Sequence, residues 1–125
     1  MTPRWNRLQI LAEAEINATL AALPKPLAAQ ARQLPVSCEA RPNAALLADG
    51  IEADTLGLFV GEAFPDSESG GAQLPAQIIL FLENIWELAE GDESCYREEI
   101  RTTLLHELGH YLGLDEIDLE ERGLD

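Results

Sequence analysis

Apolar positions along the chain follow two periods. Leu8, Leu11, Ala12, Ile16, Leu20 and Leu23 recur three or four residues apart, as on one face of a helix. Thr2 suits an N-cap and Pro3 the first helical position, while Pro24 and Pro26 stop the pattern. An amphipathic helix is therefore predicted from Pro3 to about Leu23, followed by a shorter one over residues 27–33, ended before Pro35. Val36 to Ala40 is a short strand, and residues 43–52 are Ala-rich with a turn at Asp49-Gly50. Leu56 to Gly61 is a second strand, with Leu58 and Val60 on one side and Phe59 on the other. Its flanking glycines, Gly57 and Gly61, mark bulges or a close backbone approach. Residues 65–71 (PDSESGG) lack periodicity and read as a surface loop. Gln77 to Leu82 is the strongest strand, a continuous apolar run. Asn84 to Glu90 is helical, with Ile85, Trp86 and Leu88 apolar, and Gly91-Asp92 breaks it.

The next helix carries the chemistry. Asp92 or Ser94 is its N-cap, with Glu98 and Glu99 in the early turns, where the dipole favours negative charge. At 100° per residue, Ile100, Leu104, Leu108 and Tyr111 cluster on one side, extended by Leu105 and Leu112. Tyr96, Glu99, Thr103, His106, Glu107 and His110 fall on the polar side. His106 and His110, the only histidines in the chain, stand one turn apart and can aim at one point. Glu107 leans toward the same side. Two imidazoles and an adjacent carboxylate suit a metal ion and a water activated by a base. Gly113 sits where a left-handed glycine ends a helix, and the returning chain lets Glu116 meet the histidines. A last short helix is predicted over 119–122, behind Asp118 as N-cap.

Helix, short strands, helix, metal helix: this order predicts an α+β fold, a sheet packed against helices with the metal helix lying along it. With 125 residues, no repeats and no linker, a single domain spanning 1–125 is expected, as a monomer. The net charge of −15 repels phosphate backbones and anionic lipid heads, which disfavours nucleic acid and membranes as partners and favours cationic peptides. No stretch reads as a signal peptide or a membrane span, so a cytoplasmic location is expected. Two cysteines, Cys38 and Cys95, are too few for a disulfide scaffold and are expected as buried free thiols. Cys95 lies three helical turns from His106, too far to compete for its metal.

The chain resembles the small bacterial family of zincin-like metallopeptidases, the minimal zincins. The likeness is carried above all by Thr103-Leu104-Leu105-His106-Glu107-Leu108-Gly109-His110-Tyr111-Leu112-Gly113-Leu114-Asp115-Glu116. Leu23-Pro24, Leu56-Gly57-Leu58-Phe59-Val60-Gly61 and Leu74-Pro75 leading into Ile78-Ile79-Leu80-Phe81 support it. The resemblance implies a small mixed sheet beside the site helix, a bound Zn²⁺, His106 and His110 as ligands, and Glu107 as the base. It places the third ligand at Glu116, with Asp115 and then Asp118 as alternatives. The only methionine is Met1, so the methionine turn of metzincins is absent. The chain ends nine residues after Glu116, and no C-terminal subdomain is expected to wall a deep cleft.

Two histidines and one carboxylate leave a fourth position for water, as in catalytic zinc sites. Glu107 would take that water's proton and pass it to the leaving amine during hydrolysis of a peptide bond. The substrate, a peptide or protein, is expected along an edge strand, with Gln77 to Phe81 as the candidate. Tyr96 and Tyr111 are expected to pack rather than to stabilise an oxyanion. Two other functions fit less of the sequence. A metal-dependent endoribonuclease with three histidines is disfavoured by Glu107, by an acidic third ligand and by the net charge. A non-catalytic, zinc-stabilised peptide-binding domain is the other.

Overall fold

The structure, a computed structural model, describes residues 2–61 and 76–112. The loop expected over 65–71, the turn at Gly113, the ligand candidates Asp115, Glu116 and Asp118, and the closing helix over 119–122 lie outside the described residues. The described elements, in chain order, are helices α1 (Pro3–Ala21) and α2 (Lys25–Ala31), strand β1 (Val36–Glu39), helix α3 (Ala44–Ala48), strands β2 (Gly57–Val60) and β3 (Gln77–Phe81), and helices α4 (Leu82–Leu88) and α5 (Glu93–Leu112). The strands form one mixed sheet in the order β1-β3-β2, with β1 parallel and β2 antiparallel to β3. The fold is α+β, with helices packed on a small sheet, as the element order predicts.

Thr2 caps α1, its hydroxyl accepting from the backbone N–H of Trp5 at 3.1 Å. All six apolar positions that define the helical period are buried. α1 packs on α4 and α5, and α5 lies against β2 and β3. Leu8, Ile78, Leu80, Leu82, Ile85, Tyr96, Ile100 and Leu104 form the centre of the core. Each large side chain so buried contributes roughly 1.5–3 kcal/mol relative to exposure.

Most elements end one or two residues from where the sequence predicts, α1 at Ala21 rather than Leu23, and three further differences are local. α2 starts at Lys25 because Pro26 fits a first helical turn, where no N–H is needed. The Ala-rich stretch holds a helix, α3. Asn43 caps it, accepting from Leu46 N at 2.9 Å, and Gly50, at φ +94°, ends it with Ile51 N–Leu46 O and Gly50 N–Leu47 O bonds, both 3.1 Å. α4 follows β3 with no intervening turn, two residues earlier than predicted.

The larger correction concerns β3. It is the central strand, paired on both edges, and cannot offer a free edge to a peptide. Ile78 and Leu80 are buried on the side of α5, while Ile79, on the other face, is half-buried.

The segment leading into β2 is held from α4. Asn84, 4% exposed, donates from Nδ2 to the carbonyls of Ala53 (2.8 Å) and Thr55 (2.9 Å), and its Oδ1 accepts from Arg41 at 2.6 Å. Leu56 O in turn accepts from Phe81 N at 2.9 Å. These bonds set where β2 begins, and therefore where Gly57 meets α5.

Candidate metal centre

α5 is capped by Asp92, whose side chain accepts from the backbone N–H of Cys95 at 2.9 Å. That bond holds the Asp92 carboxyl below the usual carboxylate range, and it selects Asp92 over Ser94 as the cap. Both cysteines are free, as expected, but Cys95 is exposed and Cys38 half-buried, so neither thiol is fully buried. Burial, with Glu13 and Glu39 nearby, pushes the Cys38 thiol up to about 11.

The core side of α5 carries Ile100, Leu104, Leu105, Leu108 and Tyr111, all buried. Tyr96 belongs there too, contrary to its expected place on the polar side. It is fully buried, donates its hydroxyl to Leu8 O at 2.9 Å, and packs edge-on against Trp86 at 5.4 Å. Tyr96 stands one turn before Ile100, on the same helical face, so the spacing places its ring with the core. Packing is also the role of Tyr111, whose ring lies 5.8 Å from that of Phe59 on β2.

On the other side, His106 and His110 are exposed and their ring centroids are 4.8 Å apart, tilted by 55°. A ligand atom from each of His106, Glu107 and His110 lies within 4.8 Å of the others. The helix thus brings these three predicted residues together, while Glu116 lies outside the described residues. Glu107 is 7% exposed. Among the described residues no side chain pairs with its carboxylate. Glu107 lines a groove beside His106, so a cation between the imidazoles would find an unshared carboxylate next to it. Two neutral nitrogens and a carboxylate suit a borderline-soft divalent ion such as zinc.

Gly57 allows β2 to reach this face. A Cβ there would lie 2.6 Å from Thr103 Cγ2 and 3.5 Å from Glu107 Cγ, so the glycine serves close approach, one of its two predicted roles. Between β2 and α5 runs a groove of about 330 Å³ lined by Leu56, Gly57, Glu99, Thr102, Thr103, His106 and Glu107. Leu56 and Thr102 carried no functional signal in the sequence. Glu99 did: it falls on the same helical side as His106, but its place in the groove depends on the sheet. In β2 the Leu56–Phe81 bond sets the alternation, so Gly57 and Phe59 turn their N–H and C=O groups away from β3. Among the described residues no strand pairs with that outer edge.

No described helix is long and apolar enough to cross a membrane. The family model described as zincin-like metallopeptidase matches residues 31–124. No curated protein matches the chain.

Proposed function

The chain belongs to the zincin-like metallopeptidase family, and from that premise we propose that it is a zinc-dependent endopeptidase in which His106, His110 and Glu116 hold the metal and Glu107 is the general base. The observation that carries this reading is the cluster of His106, Glu107 and His110 at the wall of a groove beside a strand edge that no described strand pairs. Bound zinc would supply Lewis acidity, polarising the substrate carbonyl and acidifying water.

The protein's own residues do the rest. Glu107, buried and unpaired among the described residues, accepts a proton from the attacking water and returns it to the leaving amine. The outer edge of β2, not β3, takes the peptide as an added strand, with Gly57 and Phe59 offering backbone hydrogen bonds. Gly57 has no side chain to obstruct the substrate at the point nearest Glu107.

Glu107→Gln keeps the shape of the side chain and removes the base. The variant should bind zinc stoichiometrically and hydrolyse an unstructured peptide about 10²–10⁴-fold more slowly. Activity equal to the parent's would exclude Glu107 as the base. His106→Ala should lose zinc by elemental analysis, and retention of the metal would refute the ligand assignment.

A further inference from the structure

The groove continues beyond the histidines. Leu56 and Gly57 flank it beside Thr103, and Phe59 lies by Tyr111, so β2 and α5 run in the same direction. Glu99, two turns before His106, lines the groove at the Leu56 end. The rise between these residues is about 10 Å, roughly three residues of an extended peptide.

Glu99 lines the groove without a partner among the described residues, unlike Glu83 and Glu93, which are also half-buried. Glu83 pairs with Arg4, Glu87 with Arg41, and Glu93 with Arg7 and Arg97. Glu99 is half-buried and, among the described residues, pairs with no cation. The described lining of the groove holds no Lys or Arg. A half-desolvated carboxylate facing a peptide channel attracts a cationic group more strongly than one in open water.

Resting on the peptidase reading, we propose that Glu99 is a specificity-determining residue. It takes a Lys or Arg side chain of the substrate within three residues of the bond cut, on the side toward Leu56. The overall charge of −15 would draw in cationic peptides, while Glu99 fixes where their positive charge sits.

The test uses the full zinc-loaded chain and peptides that differ only by Lys or Gln at successive positions around one cleavable bond. Lys should raise kcat/KM about tenfold at one position within three residues of the cut, the effect of one charge-assisted hydrogen bond. Glu99→Gln should abolish that preference. Glu98→Gln, the same change of charge on an exposed neighbour outside the groove, should leave it intact. If Glu99→Gln retains the preference, or Glu98→Gln loses it equally, the proposal is overturned and the hydrolase reading stands. If the parent cleaves none of the peptides, the hydrolase reading fails instead. Fluorescence anisotropy with the same peptides then decides on Glu99: tighter binding of a Lys peptide, lost in Glu99→Gln only, supports it, and equal binding of Lys and Gln peptides overturns it.

Discussion

Asn84 and Glu107 are both buried polar side chains, on α4 and α5, near the start of β2. Asn84 is 4% exposed and Glu107 7% exposed, yet their surroundings differ. Asn84 uses both amide hydrogens and its oxygen to fasten the backbone at Ala53 and Thr55 and the guanidinium of Arg41. Glu107 has no such partner among the described residues. A buried polar group that is fully hydrogen-bonded stabilises the fold, whereas Glu107 faces the groove without a bond that holds the fold together. The first shapes the groove, and the second is left available for chemistry within it.

The comparison is broken most directly at these two residues. Asn84→Ala should lower stability by about 3 kcal/mol in urea unfolding, because it removes the three hydrogen bonds of a buried amide, to the carbonyls of Ala53 and Thr55 and from Arg41. Glu107→Gln should change stability of the metal-free protein by less than about 1 kcal/mol, since it breaks no bond. Equal losses would mean that Glu107 is as structural as Asn84.

A smaller effect is expected where the two regions meet. Gly57→Ala places a methyl 2.6 Å from Thr103 Cγ2 and should cost about 1–3 kcal/mol by overpacking. Thr103→Ala in the same chain should restore most of it, giving a favourable coupling in a double-mutant cycle. Independent effects of the two substitutions would show that β2 does not press on α5 at this point.

The smallest effect lies at the far end of α5, remote from both residues. Asp92→Ala should lower the melting temperature slightly at pH 7 by removing the cap, with Asp92→Asn close to the parent. Because the folded carboxyl lies below its ordinary value, its stabilisation is fully present above the unfolded value of about 3.9. It is lost as pH falls through the lower folded value. The gap between parent and Asp92→Asn should therefore close in acid, as read by melting curves taken down to pH 2.5.

Much of the local structure is legible in the residues. α1 follows from six apolar positions at helical spacing with Thr2-Pro3 ahead of them, and all six are buried. The neighbourhood of His106, Glu107 and His110 is legible for the same reason, since one turn of helix fixes it without outside help. α3 was missed although its signals were present. Asn43 and Gly50 bracket five residues, a helix too short to show a period.

What the amino-acid order determined by itself is whatever lies within a few residues along the backbone: helix periods, caps, and the meeting of two imidazoles across a turn. What only the tertiary structure decided is who lies beside whom. It placed β3 in the middle of the sheet, turned Gly57 against Thr103 and opened the groove onto Glu99. The reason is physical: hydrogen bonds within a helix close over four residues, whereas strand pairing and side-chain burial join segments far apart in the chain, and no local pattern names the partner.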